Sequence, residues 1–162
     1  MSNTQSMCTS FLGQLLSAGH NFNSTNVARS SNTADTFKAA LYFTTATLNA
    51  STTAYSTTGE VTNTSGTGYT AGGVTVTNGN TPTATNSSST AGVAYWTPSA
   101  SFQWTAMTVT TAFDTVLLYN SSQSNAAVSV HTFGAQTITA GTFTLTMPTN
   151  STTAALIRLS TT

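Results

Sequence analysis

Residues 102–119 read FQWTAMTVTTAFDTVLLY. Apolar and polar side chains alternate through most of this stretch, with threonine filling the polar places. Alternation at a period of two marks strands that cover one face, and Thr, Val, Phe, Trp and Tyr suit a pleated surface. The stretch predicts strands at 102–104, 107–112 and 115–119. Working outward towards the C-terminus, Asn120–Asn125 is a turn, and residues 127–133 alternate again. Ala127, Ser129, His131 and Phe133 fall on one face there, Val128 and Val130 on the other. Further strands are expected at 137–138, 142–147 and 154–159, with Pro148 and Asn150 marking the last loop. Towards the N-terminus, strands are expected at 92–96, at 74–77 and at 37–43 (FKAALYF), where Phe37, Ala39, Leu41 and Phe43 share a face.

Between these lie punctuated segments. Residues 66–73 hold four glycines and Tyr69, a turn or bulge at a strand start. Residues 78–90 (NGNTPTATNSSST) form a long polar loop with an exposed tip, and residues 44–61 are weakly periodic, with a turn of helix near 52–55. At the N-terminus residues 1–7 read as a loose arm. Thr9 or Ser10 then caps a helix whose apolar face is Phe11, Leu12, Leu15 and Leu16, stopped by Gly19. That face either packs on its own domain or binds a partner. Residues 21–34 are Ser/Asn-rich loop. With about eight or nine short strands and no fixed-period repeat, the expected fold is all-β. It is a two-sheet sandwich, jelly-roll-like, with one short N-terminal helix. Residues 1–20 would be arm and helix, and 21–162 a single β-sandwich domain.

Composition narrows the function. Charged residues make up 4% of the 162, against about a quarter in ordinary domains, and the net charge is zero. Disorder is normally tied to high net charge, so this polar, Thr-rich chain is foldable rather than disordered. A surface almost without charge favours association, which points to a protein packed against copies of itself or neighbours. Lys38, Arg29 and Arg158 are too few for phosphate-backbone recognition, so no nucleic-acid partner is expected. No stretch is long and apolar enough to span a bilayer, so no membrane partner is expected either. The segment 11–18 lacks the basic flank of a signal peptide. The single cysteine, Cys8, excludes an intrachain disulfide and reads as a small residue near the helix start.

The search for chemistry yields little. Asp35, Glu60 and Asp114 are widely spread, and each is expected to pair with a basic residue or to fix a turn. His20 and His131 stand outside any His/Cys/Asp cluster at ligand spacing, so no metal site or cofactor is expected. No phosphate loop, nucleophile elbow or Cys-x-x-Cys occurs, and no enzyme is expected. Tyr95, Trp96, Phe102 and Trp104 lie close in sequence. They read first as core, then as a subunit interface, then as a sugar platform. Thr-x-Thr pairs at 75–77, 108–110 and 144–146 are ordinary strand alternation and lack the fixed period of an ice-binding face.

Residues 35–42 (DTFKAALY) and 68–74 (GYTAGGV) resemble segments of a family of small virion structural proteins of tailed bacteriophages. Trp104, Leu117-Leu118-Tyr119-Asn120, Phe133-Gly134, Ala140-Gly141-Thr142-Phe143, Pro148 and Ile157-Arg158 continue the resemblance in the same order, over most of 34–160. No single motif is specific; the ordered set carries the likeness. The resemblance implies a capsid decoration, or cement, protein. Such a protein would be a homotrimer bound to the major capsid protein on the outer capsid surface of the virion, assembled in the host cytoplasm. The alternative is a tail, baseplate or fibre-tip subunit with a glycan receptor. Two departures stand out: Thr132 occupies the place of a carboxylate before Phe133-Gly134, and Thr110, Thr111 and Ala112 stand where a central arginine is common. Interface candidates are Phe11, Leu12, Leu15, Leu16, Tyr69, Trp96 and Trp104.

Overall fold

A computed structural model of the protein describes residues 2–16, 18–22, 33–62, 68–87 and 90–160. The fold is all-β with two antiparallel sheets and one short helix, the class that the alternation predicts. In chain order the elements are β1 (Ser6–Met7), α1 (Thr9–Leu16), β2 (Phe37–Phe43), β3 (Val74–Thr75), β4 (Thr83–Ser87), β5 (Thr90–Trp96), β6 (Phe102–Asn120), β7 (Ala126–Leu145) and β8 (Ile157–Ser160). One sheet runs β1-β7-β6-β2-β3 and the other β4-β5-β8. The chain clusters into two compact units. The first holds residues 1–20, 35–75 and 103–144; the second holds 21–34, 76–102 and 145–162.

In the first unit, β2 lies between β6 and β3 and is buried on both faces: Ala39, Ala40, Leu41 and Tyr42 are all fully covered. The small alanines let neighbouring layers approach. Gly73 marks the closest approach, since a Cβ there would lie 1.8 Å from the Ala39 carbonyl oxygen, and its φ of 71° is one that glycine adopts without strain. Where Tyr42 and Phe43 pair with Thr115 and Phe113, the register shifts and Asp114 is the extra residue.

The three separate strands expected over 102–119 are one strand, and those expected over 127–147 are another. The apparent breaks are bulges. In β6 the inward positions are Phe102 and Trp104 before Ala106, then Met107 and Val109 after it. Ala106 is the residue that resets the parity, with φ of 54°. In β7, Ala140 (φ 47°) does the same between Ile138 and Gly141. Phe133 and Phe143 are ten residues apart, which straight strand geometry would place about 33 Å from each other, yet their ring centroids lie 5.2 Å apart. The β6–β7 ribbon therefore doubles back, enclosing Phe113, Phe133 and Phe143 against one another, with Trp104 stacked on Phe143 at 5.9 Å. The tight turn joining the strands places Ser124 and Asn125 at positive φ.

The loose arm expected at residues 1–7 is knitted into this sheet. Ser6 and Met7 pair with Val130 and Ser129, the Thr4 amide donates to the Leu48 carbonyl at 2.8 Å, and the Asn3 side chain donates to Asp114 at 2.9 Å. Helix α1 follows from Cys8. Thr9 and Ser10 sit inside its first turn, and Ser10 Oγ is buried without a hydrogen bond, so neither serves as the cap. The helix ends on Ala18 at φ 57°, with the Gly19 amide returning to the Gln14 carbonyl at 2.7 Å. The helical turn expected near 52–55 is instead a tight turn at 49–52, closed by the Thr52 amide on the Asn49 carbonyl.

In the second unit, the polar loop expected at 78–90 contains a strand. β4 and β5 form a hairpin pairing Thr83 with Tyr95 and Thr85 with Val93, and β8 lies on the other side of β5. Threonine-rich polarity concealed the strand because neither of its faces carries an apolar run. The strands expected at 74–77 and 154–159 are present at Val74–Thr75 and Ile157–Ser160.

Candidate functional site

The polar side chains with the strongest chemistry are enclosed by hydrogen bonds of the first unit. Glu60 is 4% exposed. Its carboxylate accepts from the Tyr55 hydroxyl at 2.6 Å, the Tyr69 hydroxyl at 2.8 Å and the Gly72 amide at 2.7 Å. Tyr69 in turn accepts from the Leu41 amide, Tyr119 donates to the Gly72 carbonyl, and Tyr42 donates to the Ser56 carbonyl. Tyr55 stacks on Tyr119 with centroids 4.6 Å apart. Burial, then the Glu60 charge, raises the Tyr55, Tyr69 and Tyr119 hydroxyls, the last to about 12. None of these phenols is an acid or base near neutral pH. The cluster ties the 55–60 and 69–73 segments to the sheet, and its groups are occupied in doing so.

A second cluster joins His20, Asn120 and Asp35. The fully buried Asn120 donates from Nδ2 to Asp35 at 2.7 Å and lies 3.0 Å from His20 Nδ1, while His20 Nε2 is 2.8 Å from Gln14 Oε1. The Gln14 oxygen can only accept, so the proton sits on Nε2 and Nδ1 accepts from Asn120. A second proton would face the Asn120 amide hydrogens. Burial lowers the His20 pKa, opposed in part by Asp35. Ser129 meets His131 at 2.8 Å but is 2% exposed, and burial holds His131 down, to about 4. Cys8 is fully buried and its thiol is pushed up to about 11, so it is inert. Among the described residues no three His, Cys, Asp or Glu side chains gather at metal-binding distance. Of the two expected roles, pairing with a basic residue or fixing a turn, Glu60 takes the second, accepting from Gly72 in the 70–73 turn, and Asp114 accepts from the neutral donors Asn3 and Thr115.

Among the described residues, two features of the first unit are open. One is a groove of about 530 Å³ formed by the 45–59 segment, lined by hydroxyl-bearing residues such as Thr45, Thr47 and Ser51 together with Ala46, Leu48 and Ala54. It contains no charged group. The other is the distal part of β7. Gly134, Ala135, Gln136 and Thr137 are exposed in succession, followed by Thr139, Ala140, Thr142 and Thr144. β1 covers the outer edge of β7 only at Ser129 and Val130. Among the described residues, no strand lies along that edge from Thr132 to Thr144. Those residues include no charge and no proline.

The interface residues expected from the sequence fall in different places. Phe11 (0% exposed), Tyr69 (7%), Trp96 (2%) and Trp104 (2%) are buried within the single chain: the two tryptophans as their first reading, core, has it, and Phe11 as packing on its own domain has it, so these side chains are not a free interface surface. Phe11 packs edge-on to His20, and Tyr69 belongs to the Glu60 cluster. In the second unit, Trp96 meets Phe22 at 4.7 Å and donates to Asn78 and Asn80. An aromatic in a small β domain removes the most apolar area by going inside. Leu12 is exposed at 44%, Leu15 is half-buried, and the Leu16 side chain lies outside the described residues. The Glu60 cluster and the β7 edge were not picked out by sequence reasoning. For the first, the signal was three tyrosines and a glycine pair near one lone acid. For the second, it was a long uncharged run after Thr132.

Among the described residues no helix is long and apolar enough to cross a membrane. Comparison with family models, curated proteins and solved structures finds no match to this chain.

Proposed function

We propose that the protein is a structural component of a tailed-phage virion, a capsid decoration protein that binds across capsomer joints. The observation that carries this reading is the uncharged, strand-built outer surface of β7. Its exposed residues and hydroxyls suit extended contact with other protein, while buried Glu60 and part-buried Asp35 and His20 are occupied in hydrogen bonds that hold the fold. The ordered resemblance over 34–160 supplies the virion context. The partners are the major capsid protein and further copies of this chain. Binding only the assembled shell would stabilise it by mass action without any covalent step. Enzymatic activity has no part in this reading.

The second reading is a tail, baseplate or fibre-tip subunit that contacts a glycan. The uncharged groove at 45–59 favours it, since a concave surface of neutral polar and apolar residues matches a neutral sugar. The test is stoichiometry. Quantitative mass spectrometry of purified particles should find the chain in a fixed, near-integer ratio to the major capsid protein. A handful of copies per particle would move the protein to the tail, and its absence from particles would remove the virion reading.

A further inference from the structure

The four edge strands of the two sheets are protected unequally. β1 and β3 are two residues long. β8 carries Arg158, and β4, though also uncharged, offers five residues, fewer than the stretch from Thr132 to Thr139. Short edges and charged edges are the usual means of preventing strand-to-strand association. Beyond β1, whose neighbour Gln5 still accepts from the Thr132 hydroxyl at 3.5 Å, the outer edge of β7 has neither protection as far as the bulge at Ala140. A Cβ on Gly134 would meet nothing nearer than the Gln136 amide nitrogen at 4.0 Å, so the surroundings are open. The Gly134 carbonyl is met there by the Gln136 side chain, at 3.0 Å.

We infer that this edge, residues 132–139, pairs antiparallel with the same edge of a second copy across a two-fold axis. Such an axis sets every residue against its own segment, so any charge there would face its own sign. An uncharged edge removes that obstacle. A foreign partner gains steering and specificity from charge, which this edge does not offer. The backbone supplies the remaining complementarity, because the alternating donors and acceptors of one strand edge match the same edge reversed. Opposed threonines and apolar side chains then form cross-strand pairs of the favourable kinds. The inference stands on the edge alone and does not require the virion reading.

The test uses the full chain in solution. Light scattering after gel filtration should show a dimer forming as concentration rises. Thr137→Lys should raise the dimer dissociation constant by about ten-fold or more, while Thr83→Lys on β4 leaves it unchanged. Circular dichroism checks that both variants fold. If Thr137→Lys fails to fold, the neutral scan Ala135→Cys, Thr137→Cys and Thr139→Cys replaces it. Cys8 is buried and unreactive, so each introduced thiol reports alone. A covalent dimer on oxidation at one or more of these positions, with none for Thr83→Cys, supports the pairing. A monomer at every concentration, a wild-type mass unchanged by Thr137→Lys, or no cross-link at any edge position would overturn it.

Discussion

The two ends of the β6–β7 ribbon are one continuous structure under different physical conditions. At the end near the turn, residues 115–120 and 126–130 are buried on both faces. β2 closes one edge and β1 the other. Past the bulges, the same strands run with exposed threonines, and the outer edge of β7 is bare of strands among the described residues. The first end is held by burial and neighbouring strands. The second is held by its own doubling back around Phe113, Phe133, Phe143 and Trp104. Burial is therefore concentrated near the turn, and the edge proposed to pair with a second copy lies at the distal end.

The largest expected contrast comes from core truncation. Leu117→Ala at the fully buried end should cost about 2–5 kcal/mol. Ile138→Ala, half-buried in the distal part, should cost about 1 kcal/mol or less. Denaturant midpoints measure both, and equal losses would break the comparison. Next is the buried acid. Glu60→Ala strands two phenols and the Gly72 amide, and should cost about 3 kcal/mol in chemical denaturation. A loss of a few tenths would show that water replaces the carboxylate at no cost.

A comparable effect should appear with pH. His131 is held to about 4 in the folded chain against an ordinary value of 6.5. The unfolded state therefore takes up the proton first as pH falls. The stability contribution is complete above about 6.5, declines as pH drops towards 4, and is absent below it. The span corresponds to about 3 kcal/mol at most. His20, lowered in the same direction, adds to the slope. His131→Gln should flatten the curve between those limits, as read by urea midpoints across pH; an unchanged slope would remove His131 from the account. The smallest effect is a gain. Ala18 closes α1 at φ 57°, a conformation that favours glycine, so Ala18→Gly should stabilise by about 0.5–1 kcal/mol in thermal melts.

Period-two alternation made the all-β class and the positions of β2, β5, β6 and β7 legible in the sequence. Continuity was not legible, because a bulge at Ala106 or Ala140 flips the parity and looks like a strand end. β4 was hidden because Thr83-Ala84-Thr85-Asn86-Ser87 carries the composition of a loop and has no apolar face. The arm at residues 2–7 looked free because its attachment is backbone pairing and one asparagine, neither of which leaves an apolar pattern. The tyrosine ring around Glu60 depends on contacts between segments 9 to 12 residues apart and on Tyr119, far along the chain, so no local spacing announces it. Exposed edges are equally silent, since an edge is defined by which strands fail to pair with it.

The most direct test of the proposed function is cryo-electron microscopy of intact particles that contain this chain. The account predicts density for the two-sheet fold repeated over the head surface at capsomer joints. Density confined to the tail or a single vertex would contradict the decoration reading.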